Sequence, residues 1–245
     1  MVILEGRKIT KTFGAVAAVQ SVDFSVKQGE IVGIIGPNGA GKTTLFNVIA
    51  GIYAPDHGEV MFRGRRISGL KPHTICRQGI AKTSQTVQPF TQMTVLENVL
   101  VGGLYGRGLS LREATLEAER ITEFAGLGVL KGAPSGSITV PNRRRLELAR
   151  ALATGAEVIL LDENMAGLNP AEVESVLGLL RKVRQEGHTL IVVEHVMRAV
   201  MEISDRIIVL NYGQKIAEGT PAEVANDERV IEAYLGERYA SYRSN

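Results

Sequence analysis

The chain has 245 residues, enough for one large α/β domain with a sizeable core and a small inserted subdomain. Hydrophobic residues at 44% and charged residues at 22% exclude a disordered chain, and a net charge of +2 is too small to call for a nucleic-acid partner. One cysteine, Cys76, excludes an internal disulfide and fits a reducing cytoplasm; no apolar run approaches the ~18 residues of a membrane-spanning helix.

The N-terminus, Met1-Val2-Ile3-Leu4-Glu5-Gly6, has no long apolar core behind it and does not read as a signal peptide. Short β-like stretches with glycine turns follow, Val22 to Val26 among them. Ile31 to Ile35 is a wholly apolar strand running into a glycine-rich turn. A helix carrying Leu45, Phe46, Val48 and Ile49 comes next, with Gly51 as its stop. Pro55 to Gly58 marks a turn into a strand at Glu59 to Arg63.

The middle of the chain changes character. Thr94 with Glu97, and Ser110 with Glu113, read as capping boxes that start helices. Leu111, Ala114, Ala118, Ile121 and Ala125 then recur at helical spacing. Residues 86–152 therefore read as a helical subdomain inserted into a parallel-sheet core. Past it, Val158 to Leu161 is a strand, and Asn169-Pro170 supplies an N-cap with proline at the first helical position. Val173, Val176, Leu177, Leu180 and Val183 form one face of that helix. Thr189 to Val193 and Arg206 to Leu210 are two more strands, and Ala233 to Asn245 reads as a helix with a loose tail. Apolar strands alternating with helices imply an α/β fold whose sheet is covered on both faces.

Two motifs carry chemistry. Gly36-Pro37-Asn38-Gly39-Ala40-Gly41-Lys42-Thr43 fits the phosphate-loop pattern, with a strand before it, Thr44 after it and a helix to follow. Glycines let successive backbone N–H groups turn toward phosphate oxygens, and the helix start adds positive potential. Lys42 would reach the β- and γ-phosphates, and the Thr43 hydroxyl would bind Mg²⁺. The second motif is Asp162-Glu163 at the end of an apolar strand, the edge where ligands of open parallel sheets sit. Asp162 would hold Mg²⁺ through water, and Glu163 would polarise the attacking water.

With these motifs in place, nearly the whole chain resembles the ABC ATPase family. The resemblance implies one domain over 1–245, with a P-loop NTPase (RecA-like) parallel core, an N-terminal antiparallel β part and the helical insert at 86–152. It implies ATP and Mg²⁺ as ligands. Phe13 falls where the family stacks an aromatic ring on adenine. Gln85 matches the glutamine that senses Mg²⁺ and the γ-phosphate, and His195 the switch histidine at a strand end. Ala166 to Asn169 corresponds to a loop that meets the partner ATPase.

One element departs from the family pattern. The Leu-Ser-Gly-Gly-Gln signature, which faces the ATP of the opposite subunit, is replaced by Ile138-Thr139-Val140-Pro141-Asn142. Pro141 has no N–H to donate, and Val140 lacks glycine's freedom. The expectation is one competent and one impaired half-site, completed by a non-identical partner ATPase; a homodimer with two weakened sites is the alternative. Asn164 also stands where the family commonly has proline, and Arg143 to Arg145 read as a solvated helix face.

Gly36 to Thr44, Met93 to Asn98, Ala166 to Pro170, Val193 to Met197 and Ala233 to Glu237 resemble the branched-chain amino-acid importer group. That resemblance implies permease subunits in the membrane, an external substrate-binding protein, and a peripheral place on the cytoplasmic side of the inner membrane. Urea-type importers and lipid or lipopolysaccharide transporters share the same features. A soluble ABC ATPase of DNA repair or translation, and a nucleotide sensor with little turnover, are the readings from other classes.

Overall fold

The computed structural model describes residues 1–84 and 88–234. The chain opens with β1 (Val2–Phe13), β2 (Val16–Lys27), β3 (Ile31–Ile35), α1 (Lys42–Ile49), β4 (His57–Phe62) and β5 (Arg65–Arg66). Then come α2 (Pro72–Gln78), β6 (Ile80–Lys82), α3 (Val95–Val101), a π-helical turn at Gly102–Gly106, α4 (Leu111–Phe124) and α5 (Val140–Ala153). It continues through β7 (Val158–Asp162), α6 (Pro170–Gln185), β8 (Thr189–Val193) and α7 (Met197–Ile203). The last elements are β9 (Arg206–Asn211), β10 (Gln214–Gly219) and α8 (Pro221–Ala225).

These elements fall into two compact units, Met1–Lys71 with the chain from Thr189 onward, and Pro72–His188. The first unit holds the N-terminal antiparallel sheet, ordered β2-β1-β4-β5. It also holds β3, which pairs in parallel with β8 on one side and β9 on the other, while β10 lies antiparallel to β9. Every residue of β3 and β8 is buried, as expected of strands covered on both faces, where no polar alternation survives. The strand expected at Glu59 to Arg63 starts two residues earlier and ends at Phe62, where Arg63 takes a positive φ and turns the chain.

The second unit pairs β6 in parallel with β7 and carries α2 to α6. Both capping boxes are formed: Thr94 and Ser110 each accept from the backbone N–H three residues on, and Glu97 and Glu113 return the bond. Asn169 caps α6 in the same reciprocal way with Glu172, ahead of Pro170. The buried face of α4 begins at Ala114 rather than at Leu111, which stands in the first turn and is 64% exposed. Among the described residues, no helix is long and apolar enough to cross a membrane.

Candidate active site

The phosphate-loop motif folds as a tight turn between β3 and α1. Gly36 and Gly41 sit at positive φ (152° and 99°), and a β-carbon at either would collide with a carbonyl oxygen, of Leu210 and Ala18 respectively. Only glycine fits both positions. Lys42 opens α1 and is buried, its ammonium 2.7 Å from the Gly36 carbonyl oxygen and 2.8 Å from that of Pro37. Those bonds draw the side chain back over the turn, so its charge lies along the loop rather than in open solvent. Asn38, Gly39 and Thr43 remain exposed, while Pro37 and Ala40 are buried and Thr44 is half-buried. The arrangement suits an anion: a lysine ammonium drawn along the loop, a helix start, and glycines at 36, 39 and 41 that carry no side chain.

His195 belongs to the same unit. Val193 at the end of β8 pairs with Ile34 of β3, and the strands are parallel, so the histidine and the phosphate loop leave the same edge of the sheet. His195 is exposed, two residues before α7. Phe13 ends β1 at the tip of the β1–β2 hairpin, paired with Val16. Phe13 is 44% exposed, so it is no core residue; its ring and that of Tyr53 form an edge-to-face pair with centroids 5.1 Å apart, and the Lys11 ammonium lies 5.6 Å from its centre. A partly exposed aromatic ring held by its neighbours is compatible with base stacking.

The acids stand in the other unit. Asp162 ends β7 at 1% exposure, its backbone N–H donating to the Thr83 hydroxyl at 3.1 Å. Thr83, just past β6, donates its N–H to the Leu160 carbonyl at 2.8 Å and knits the two strand ends together. One carboxylate oxygen of Asp162 accepts from the Lys82 ammonium at 2.9 Å; the other, Oδ1, is buried without a hydrogen-bond partner. An unmatched buried oxygen of this kind suits a hard cation or its water, and Asp162 therefore fits Mg²⁺. Glu163 is half-buried and held at φ 52°, a left-handed conformation that costs a non-glycine residue about 1 kcal/mol or more. The neighbouring Asn164 is buried, with its amide oxygen unpartnered.

Gln85 lies outside the described residues. The residues on either side of 85–87 are both fastened to α5. Glu147 accepts the Ser84 N–H at 2.6 Å, and Arg150 donates to the Gln88 carbonyl at 3.3 Å while its guanidinium lies 4.9 Å from the Phe90 ring centre. Burial pushes the Glu147 carboxyl up and the Arg150 guanidinium down from their ordinary pKa values. Sequence reading missed Glu147, Arg150, Lys82, Thr83 and Tyr53. The i, i+3 spacing of Glu147 and Arg150 in the apolar half of α5, Leu146 to Ala153, was the available signal.

The departing stretch starts α5. Thr139 is the N-cap but its side chain makes no capping bond, and Pro141 occupies the second helical position rather than the first. Ile138 is buried, Thr139 and Val140 are exposed, and Pro141 and Asn142 are half-buried. The expected solvated arginine face is not what forms. The Arg143 guanidinium turns back onto the carbonyl oxygens of Gly136 (2.7 Å) and Ile138 (3.0 Å), because the loop before the helix leaves those acceptors open. Arg145 reaches the Ser175 hydroxyl at 2.5 Å.

Comparison with known proteins bears on the same residues. A family model described as "ABC transporter" matches residues 19–166, which takes in the phosphate loop, the departing stretch and both acids.

The chain is a member of the ABC transporter ATPase family.

A second model, "Branched-chain amino acid ATP-binding cassette transporter", matches residues 214–240 of this ABC ATPase. It is 40% identical to the high-affinity branched-chain amino acid transport ATP-binding protein BraF of Pseudomonas aeruginosa, over 96% of this chain and 98% of that one. Identity to LivG of Escherichia coli, which carries the same description, is 41% over 92% and 94%. Among solved structures, the ADP conformation of an ATP-binding cassette of an ABC transporter superposes with a TM-score of 0.87. The two are 34% identical over 96% of this chain and 99% of that one. The chain is thus a nucleotide-binding ATPase with the α/β fold of these cassettes.

Proposed function

We propose that this ABC ATPase powers the import of branched-chain amino acids through membrane permease subunits, working as a peripheral protein on the cytoplasmic side of the inner membrane. The observation that carries the reading is the near full-length identity to BraF and LivG. The family model over 214–240 points the same way. An external substrate-binding protein would deliver the cargo.

In this reading Gly36 to Thr44 wraps the phosphates and Phe13 stacks on adenine. Lys42 neutralises charge on the β- and γ-phosphates. Thr43, Asp162 and Gln85 would hold Mg²⁺, which when bound offsets phosphate charge. Glu163 accepts the proton of the attacking water, and His195 steadies the γ-phosphate. The insert at 86–152 is the part that would move with the permease.

Ile138 to Asn142 would face a partner's ATP. Pro141 lacks the N–H and Val140 lacks glycine's conformational freedom, so this half-site is the impaired one. The partner is therefore a non-identical ATPase with an intact signature. Affinity purification of the tagged chain from gently solubilised membranes tests the assembly. Two permeases and a second ATPase are expected; recovery of this chain alone would remove the transporter reading. In the purified complex, Glu163→Gln should lower Mg²⁺-dependent hydrolysis by about 10²–10⁴-fold, the usual range for a lost general base. Unchanged turnover would mean that Glu163 is not the base.

A further inference from the structure

The buried acid at the end of β7 already holds a cation supplied by the chain itself. The Lys82 ammonium lies 2.9 Å from Oδ2 of Asp162 and also donates to the Thr83 carbonyl at 3.2 Å. The pair is not a surface ornament: the Asp162 side chain is 1% exposed and that of Lys82 only 15%. Parallel pairing of β6 with β7 sets Lys82 opposite Leu160, two residues short of the acid, so the side chain has only to reach along the strand. The Thr83 hydroxyl meanwhile fixes the Asp162 backbone. The remaining oxygen, Oδ1, is buried and unmatched.

We propose that Lys82 is a built-in counter-ion that neutralises Asp162 before a divalent cation arrives, and so weakens the affinity for Mg²⁺. The inference rests on the assignment of Asp162 to the metal. A carboxylate taken out of water without a partner is strongly disfavoured, so the ion pair lets the metal-free protein keep this acid buried. A divalent ion at Oδ1 brings further positive charge close to the ammonium, and in a site shielded from water that repulsion is large. Lysine suits such a role better than arginine. Its charge is compact and its stem flexible, whereas a guanidinium would lock onto the carboxylate through two parallel bonds. The ammonium also has somewhere to go, since its bond to the Thr83 carbonyl remains when Asp162 is given up. An ion pair that forms without metal and loosens with it sets how much Mg²⁺ the enzyme needs.

The test uses the full-length chain with saturating ADP and Mn²⁺ as a paramagnetic probe, reading free Mn²⁺ by electron paramagnetic resonance rather than by turnover. Lys82→Met and Lys82→Gln should each tighten Mn²⁺ binding by about tenfold or more, the scale of one nearby charge removed from a shielded site. Lys82→Arg, which keeps the charge, should not tighten it. Thermal unfolding in a chelator gives a second readout. The neutral variants should melt below wild type and recover more than wild type does on adding Mn²⁺. Lys82→Gln retains a hydrogen-bond donor for Asp162 and carries the test if Lys82→Met does not fold. Unchanged or weaker Mn²⁺ binding in the neutral variants would overturn the proposal and make Lys82 a positioning group for the carboxylate. If wild type with ADP binds no Mn²⁺, the metal assignment of Asp162 falls first and this inference with it.

Discussion

Two loops in this chain run into helix starts to which the family resemblance assigns phosphate, and their backbones are built differently. Before α1, glycines at positive φ clear the backbone, and Lys42 is folded over the turn onto the Gly36 and Pro37 carbonyls. Before α5, the exposed positions are Thr139 and Val140, proline removes one N–H from the first turn, and Arg143 turns back onto carbonyls of its own loop. The helix dipole is present in both. What differs is the backbone before each helix, glycines at positive φ in one case and Thr139, Val140 and Pro141 in the other; in both, a cation is drawn back onto carbonyls of its own loop. In the proposed reading a helix start alone does not make a phosphate site; the loop before it must leave donors bare.

The largest effect is expected at the phosphate loop. Lys42→Ala removes the one buried cation of the phosphate loop, and hydrolysis in the assembled transporter should fall by about 10²–10³-fold, the scale of a lost transition-state donor. Hydrolysis within a few-fold of wild type would show that the loop's backbone suffices, and the contrast with α5 would lose its basis.

A smaller effect is expected from the other side. Replacing Thr139, Val140 and Pro141 together by Ser, Gly and Gly keeps a hydroxyl and returns an N–H and conformational freedom to the α5 start. Hydrolysis should rise by about tenfold, the rate equivalent of one recovered hydrogen bond of ~1.4 kcal/mol. No gain, with the partner ATPase present and the fold intact by circular dichroism, would mean that the departing stretch is not what limits turnover.

The sequence carried most of the fold because its signals were local. Capping boxes at Thr94 and Ser110, the Asn169-Pro170 start and the apolar runs of β3, β7 and β8 each appear where short-range chemistry puts them. The phosphate loop was legible for the same reason: its residues are consecutive. What was not legible depends on pairings distant in sequence. Lys82 meets Asp162 across 80 positions, and Glu147 meets Ser84 across 63. Neither pair has a spacing that marks it. The π-helical turn at Gly102–Gly106 was also missed. Gly102 lies so close to the Arg150 carbonyl (2.7 Å from a β-carbon placed there) that only glycine is accommodated, and that requirement comes from tertiary packing.

The smallest expected effect separates the two helices by the charge each one buries. Lys42 on α1 gives hydrogen bonds to two backbone carbonyls, whereas Glu147 on α5 takes one N–H, from Ser84, and leaves Oε2 buried without a partner. Burial outweighs that bond and the nearby Arg144, Arg150 and Lys82 charges, and the carboxyl's pKa is raised. A carboxyl with a folded-state value above its unfolded value binds more protons in the folded state. Its ionisation therefore subtracts stability as pH climbs through the carboxylate range, and the loss is complete once pH exceeds the raised value. Glu147→Gln keeps an acceptor for Ser84 and removes the charge. Its Tm should exceed that of wild type near neutral pH by about 2–4 °C, the response of a domain of this size to ~1 kcal/mol, and the gap should close on acidification. Glu147→Leu, which leaves the Ser84 N–H without its acceptor, should instead be less stable than wild type at every pH. A Tm gap for Glu147→Gln that stays constant with pH would show that the buried carboxylate is fully compensated, and α5 would then handle its charge as well as α1 does.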